Sequence, residues 1–172
     1  IADIIPTQIT VAGLQRVLQS LLGERVSIRD LPTILEGVAE GANSSRNLTL
    51  IAEHVRMRLA RQISDQYTND MGYIPLLTLS PEWERDYSEA LIGQGDERQL
   101  ALAPSKLQQF IRSVRETYDR HSQMGEQPVL LTSPGIRPYV RSIIERFRPM
   151  TVVMSQNEIH AKAKIKTLGQ IG

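Results

Sequence analysis

The sequence predicts an α+β / α/β fold: a small helical subdomain over residues 1–72, then a small mixed α/β subdomain over residues 73–172 with about four short strands. Three observations lead there. Apolar side chains up to Gly72 recur at helical spacing. Beyond Gly72 they gather into short uninterrupted runs, which suit strands buried on both faces. The chain has 172 residues, 41% of them hydrophobic, and no cysteine, so its stability must come from apolar burial rather than disulfides.

In the first segment, Val11, Leu14, Leu18, Leu21 and Leu22 form one helical face, with Gly23 placed to end it. Asp30 is a candidate N-cap for a helix from Leu31 to about Glu40, with Pro32 tolerated in its first turn. After a polar break at residues 41–45, Leu48, Ile51, Val55, Leu59 and Ile63 mark a longer amphipathic helix, with Arg56, Arg58 and Arg61 off the stripe.

In the second segment, residues 76–79, 129–132 and 151–154 are the buried strand candidates. Helical patterns over Pro81–Leu91 and Pro104–Met124 separate the first two. A helix carrying Ile136, Val140, Ile143, Ile144 and Phe147 on one face separates the last two, a unit expected to cross over right-handed between parallel strands. The run from Ala161 to Lys166 alternates with period two. It follows the preceding strand too closely for a crossover and is expected to pair antiparallel or to lie at an edge, its lysines guarding against edge-to-edge aggregation.

The net charge of +1 hides an asymmetry. Residues 127–172 carry seven Lys or Arg against Glu145 and Glu158 alone, a surplus of +5. Such a surplus suits an acidic partner, a nucleic acid or a lipid head group, or simply a solvated surface. With aromatics at 5% there are too few rings for base stacking, so no nucleic-acid partner is expected. No apolar run approaches the roughly 18 residues of a membrane-spanning helix. The chain opens on Ile1 without a leader pattern and is expected to be part of something longer, with any targeting signal outside it.

Each strand candidate runs into a serine: Ser80, Ser133 and Ser155. Ser80 and Ser133 precede a proline, and Ser155 has capping-box spacing to Glu158, so all three read as helix starters. The sharper alternative is an anion site at the carboxyl edge of the sheet, with Ser133-Pro134-Gly135 and Arg137 holding a phosphate or carboxylate. Against it, GxGxxG, GxxxxGK[ST] and GxSxG are all absent. Arg137, Arg141 and Arg148 share a helix side near Glu145, a solvated face by default and a partner-binding face as the alternative. His54, His121 and His160 lie in separate elements without metal-ligand spacing. Glu82, Glu84, Asp86 and Glu89 suit the positive end of a helix dipole. The possible partner-binding residues are therefore Ser133, Arg137, Arg141 and Arg148, with no catalytic, cofactor or metal residue expected.

Several stretches carry a specific resemblance. LQRVLQSLL (Leu14 to Leu22), VSIRDLPTILE (Val26 to Glu36), AEHVRMRLARQI (Ala52 to Ile63), PVLLTSPGIRPYVRSIIERF (Pro128 to Phe147), VVMSQNEI (Val152 to Ile159) and KIKTLGQIG (Lys164 to Gly172) together resemble the flagellar and type III secretion export-gate family, FHIPEP. The SPGIRP wording and Asn157-Glu158-Ile159 look more like its flagellar branch. Nothing is transferred onto residues 93–97, which match no wording of the family. The resemblance implies a role in protein export rather than catalysis, with no cofactor. It also implies an amino-terminal membrane part preceding this chain, at the cytoplasmic face of the bacterial inner membrane. The implied assembly is a nonameric ring, and the implied partners are export chaperones, export substrates and other export-apparatus proteins. The chaperone cleft of the family lies in preceding subdomains, so its contacts are not carried over. What carries over is the wording at Ser133, Pro134, Arg137, Pro138, Arg141 and Arg146. The reading from residues alone that competes with this one is a small anion- or phosphate-binding α/β enzyme domain.

Overall fold

The structure, a computed structural model, describes Ile5 and residues 9–172. Helix α1 (Val11–Gly23) starts where Thr10 Oγ1 accepts the Gly13 N–H at 2.9 Å. Helix α2 (Leu31–Ser44) starts at Asp30, whose carboxylate accepts the Thr33 N–H. Asn47 caps α3 (Leu48–Arg58) by accepting from Thr49 and Leu50. In each case a short polar side chain satisfies an N–H that the first helical turn leaves without a partner.

The single helix expected over Leu48 to Ile63 is two, because the chain turns at Leu59 and restarts as α4 (Ala60–Tyr67). The turn aims Ser64 at the far end of the chain. Its hydroxyl donates to the Glu158 carbonyl at 2.8 Å and accepts from the His160 N–H at 2.9 Å. Helices α2 and α3 approach closely at Gly37 and Gly41. A Cβ on either would lie 3.2–3.3 Å from the Cα of Val55 or Ile51.

The sheet holds β1 (Ile74–Leu79), β4 (Val129–Thr132), β5 (Val153–Ser155) and β6 (Ile165–Ile171) in the order β5-β4-β1-β6. Every pairing is parallel. Helices α5 (Pro81–Glu89), α6 (Pro104–Gln123) and α7 (Arg137–Ile144) fill the intervals. Strands β2 (Leu91–Ile92) and β3 (Gln99–Leu100) form a small antiparallel hairpin that the sequence did not signal, two residues being too few for a pattern.

The expectation for the last run is corrected in extent and direction: of Ala161–Lys166 only Ile165 and Lys166 are strand, as the start of β6, and β6, at an edge of the sheet, runs parallel to β1 rather than antiparallel. The premise that it had to pair with the strand before it fails. Residues 156–164 carry the chain from one edge of the sheet to the other beneath α3 and α4, which the 3-10 turn Gln156–Glu158 touches.

Each face of the sheet builds a core. Ile74, Leu76, Val129 and Met154 pack with Val17, Leu21, Ile34, Val55 and Ile63 of the four N-terminal helices. Leu77, Leu130, Val153 and Ile171 pack with Trp83, Phe110, Val114, Val140 and Ile144 of α5, α6 and α7. The change of period near residue 72 therefore falls within a shared core. Residues on both sides of it bury the same sheet face.

Candidate functional site

Parallel strands bring Ser80, Ser133 and Ser155 to one carboxyl edge, but the three serines do different work. Ser80 starts its helix, accepting the Trp83 N–H at 3.2 Å beside Pro81. At Ser155 the backbone N–H donates to Glu158 Oε1 at 3.3 Å, the glutamate arm of a capping box.

For Ser133 the helix-starter reading is corrected. Its Oγ donates to Glu84 Oε1 at 2.6 Å and its N–H to Glu84 Oε2 at 3.1 Å. Helix α7 begins only at Arg137, with Ile136 at the cap position and no side-chain capping bond. The place that the alternative reading gave to an anion thus has an occupant from within the chain. Glu84, in the first turn of α5, presents a carboxylate to the donors that a phosphate would need, and Arg137 points elsewhere.

Arg137 is 1% exposed, although a solvated face was the default expectation for it. Its five N–H groups make five hydrogen bonds. Nη1 and Nη2 donate to the two oxygens of Glu24 at 2.9 Å each. Nε and Nη2 donate to the two oxygens of Glu53 at 2.7 and 2.8 Å, and Nη1 also reaches the Val153 carbonyl at 2.8 Å. Arg56, off the apolar stripe of its helix, is buried alongside it. Its Nε and Nη2 grip the carboxylate of Glu158, which is 1% exposed, at 2.9 and 2.8 Å. Arg141 completes the group, donating through Nη1 to the carbonyls of Pro149 and Thr151 at 3.1 Å. Its Nε has no hydrogen-bond partner and lies 3.7 Å from Glu24.

Three arginines thus face Glu24, Glu53 and Glu158, the first two keeping 16% and 18% of their side chains exposed, and the more exposed Glu145 lies 3.6 Å from Arg141 Nε. Burial opposes ionisation of Glu24, but the Arg137 hydrogen bond and the charges of Arg137, Arg56 and Arg141 outweigh it and hold the carboxyl below its usual value. Burial also disfavours the charge on Arg137, and Glu53 and Glu24 more than offset that.

The cluster closes one border of the sheet. The Val152 carbonyl, just before β5, faces β4, where it accepts the Leu130 N–H. The next carbonyl, Val153, faces outward and accepts from Arg137 and Arg56. An edge strand that would otherwise offer unpaired acceptors is capped by guanidinium groups. Arg148 remains partly exposed. It stacks over the Tyr118 ring at 4.2 Å and donates to Thr151 Oγ1 at 2.7 Å. Of the four candidates, Arg137 and Arg141 are interior groups engaged within the chain, while Ser133 and Arg148 keep some surface.

Several other titratable groups make local links. His54 and Arg58 share Glu40 on the surface, and Asp96 ties the β2–β3 hairpin to the turn before α3 through Ser45 and the Arg46 N–H. His121 pairs with Glu126 at 2.6 Å. Among the described residues no group of His, Asp and Glu is placed to hold a metal ion, and no helix is long and apolar enough to cross a membrane.

Such an arrangement, a parallel sheet clad on both faces with its charged interior internally paired, defines a rigid scaffold of the α/β class. The chain belongs to the FHIPEP family, which it matches over residues 1–164. It is 60% identical to the flagellar biosynthesis protein FlhA of Caulobacter vibrioides over 98% of its length, and 30% identical to that of Bacillus subtilis over 99%. The chain spans about a quarter of those relatives, 24% and 25% of their lengths. Among solved structures it resembles the Chlamydia pneumoniae CdsV protein with a TM-score of 0.89 at 32% identity, covering 99% of this chain and 49% of that one. CdsV has also been solved in complex with CdsO, and to that chain the TM-score is 0.83 at 31% identity, over 99% and 49%. The nonameric EscV cytosolic domain from the type III secretion system gives 0.77 at 25% identity, over 99% and 50%.

Proposed function

We propose that this chain is a cytoplasmic interaction module of a flagellar, type III protein-export gate, contributing to ring assembly and to the docking of export substrates and chaperones, with no catalytic step of its own. The observation that carries the reading is 60% identity to a flagellar FlhA over 98% of the chain. The nonameric state of the EscV domain supports the ring, and the CdsV–CdsO complex supports contact with a further export component. In this reading the helical segment 1–72 and the α/β segment 73–172 act as one unit, locked by the arginine–glutamate cluster. Ser133 and Arg148 remain candidates for partner contact, whereas Arg137 and Arg141 serve from inside by fixing α7.

The test is made in cells carrying the full-length protein. Deleting the part that corresponds to residues 73–172 is expected to abolish swimming and the secretion of filament subunits, and to lose chaperones and export components from a pull-down. Unchanged motility and unchanged partners would overturn the reading. Ring formation is read separately, by mass measurement of the detergent-extracted full-length protein.

A further inference from the structure

The two borders of the sheet are treated unequally. At β5 and just before it the Val153 and Thr151 carbonyls accept from buried arginines; at β6, among the described residues, no side chain does the same. Strand β6 is the last in the order and pairs only with β1, and among the described residues no backbone hydrogen bond joins its outer side to another element. The Lys164 and Ile171 carbonyls turn inward, accepting from Ile74 and Ser80. By strand alternation the N–H and C=O of their neighbours Ile165 and Gln170 turn outward, and both residues are exposed. At seven residues, β6 is the longest strand in the sheet and offers a full-length template.

The surroundings specify what fits that template. Lys162, Lys164 and Arg61 line a shallow depression at the start of β6, and Lys166 follows two residues after Lys164. None of these four cations is in an ion pair among the described residues, and Asp65 is the one carboxylate lining the depression. A bulge beside the edge skips Leu168 out of register, since Thr167 faces Leu76 and Gly169 faces Leu77. Leu168 then lines a mixed groove with Tyr73 and Pro75 from the β1 side and the polar Gln66, Glu126 and Gln127, and the Lys166 ammonium lies over the Tyr73 ring at 5.4 Å. The lysines guard the edge selectively. They repel a second copy of β6, which would bring the same lysines face to face, and they attract carboxylates.

From this we infer that the open side of β6 is a docking edge that takes an extended, acidic polypeptide segment as an added strand, main-chain hydrogen bonds giving the affinity and Lys164 and Lys166 selecting the charge. The inference is independent of the export-gate reading, because it uses only the sheet border and its charges.

The probe is a blocked peptide of roughly six residues, the ordinary length of a strand, alternating glutamate with valine. It is titrated into the 15N-labelled 172-residue chain and followed through backbone amide shifts and hydrogen exchange. Saturable shifts with slowed exchange at Ile165 and Gln170 are expected. N-methylation of alternate peptide nitrogens and the K164E/K166E double variant should each weaken binding at least about tenfold, with the circular dichroism of the variant unchanged. A lysine–valine peptide should not bind. No shift on β6 at about millimolar peptide would overturn the inference. So would equal binding of the N-methylated peptide, which would reduce the site to a simple charged patch. Concentration-dependent self-association through β6 would overturn it in favour of a second copy.

Discussion

Arg137 meets both oxygens of Glu24, 113 residues earlier in the chain, at 2.9 Å each, and this two-pronged contact fastens α7 to the C-terminal end of α1. It is a largely buried pair inside a cluster of opposed charges, so its worth depends on completeness. Removing one member leaves the others buried without compensation.

Arg137→Met is therefore expected to destabilise the fold by about 3–5 kcal/mol, because Glu24 and Glu53 keep their charges and lose their main donor. Arg137→Lys should recover only part of this, since an ammonium has three donors where the guanidinium makes five hydrogen bonds, four of them as two bidentate pairs. Adding Glu24→Gln and Glu53→Gln to Arg137→Met should return much of the loss. Urea unfolding midpoints at neutral pH measure all three.

The same carboxylate sets a pH response. The folded Glu24 holds its proton less tightly than the unfolded one, so the native state binds fewer protons there and stability rises with pH across its titration. Its contribution is present above the ordinary carboxylate range and is lost as pH falls through and below it. Urea unfolding from pH 7 down to about pH 3 should show a shallower decline in Glu24→Gln than in the wild type. Parallel profiles would contradict the assignment.

The three edge serines should separate by experiment. Ser80→Ala removes an N-cap and should lower stability by about 1 kcal/mol. Ser133→Ala removes a hydroxyl donated to a charged carboxylate, and about 1.5–3 kcal/mol is expected. Glu84→Gln should reduce the further effect of Ser133→Ala, the signature of a direct pair in a double-mutant cycle.

Two glycines should contrast as well. Gly37→Ala places a methyl 3.2 Å from the Val55 Cα, which forces α2 and α3 apart, and about 1–3 kcal/mol of destabilisation is expected. Gly135, in the SPG motif, has open space where its Cβ would stand, so Gly135→Ala should change thermal stability by no more than about 0.5 kcal/mol.

Residues 73–172 produced alone would expose Ile74, Leu76, Val129 and Met154, the sheet face that the N-terminal helices bury. Weak near-ultraviolet dichroism and binding of a hydrophobic dye are expected from that piece. Sharp dichroism with a cooperative melt would show instead that it folds independently.

Much of this fold was legible in the sequence because its signals are local. Asp30 before Leu31-Pro32, Ser80 before Pro81, and the apolar runs around Leu76, Leu130 and Val153 each announce an element within a few residues. The cluster was not legible, because Arg56 and Arg137 look like solvated arginines beside their own helical neighbours. Only the fold brings Glu24, Glu53 and Glu158 to them. Ser133 misled for a related reason: the Ser-Pro dipeptide is a fair helix signal, and Glu84, 49 residues away, claims the hydroxyl first. The direction of β6 failed on an assumption about neighbours, since consecutive strands need not pair.

The cluster also has a history in time. A ribosome releases Glu24, Glu53 and Arg56 well before Arg137 and Glu158, so Glu24 and Glu53 emerge without the guanidinium that binds them most closely. The cluster is seated only once α7 and the Gln156–Glu158 turn have followed, which ties the placing of the four N-terminal helices to the synthesis of the strands they cover.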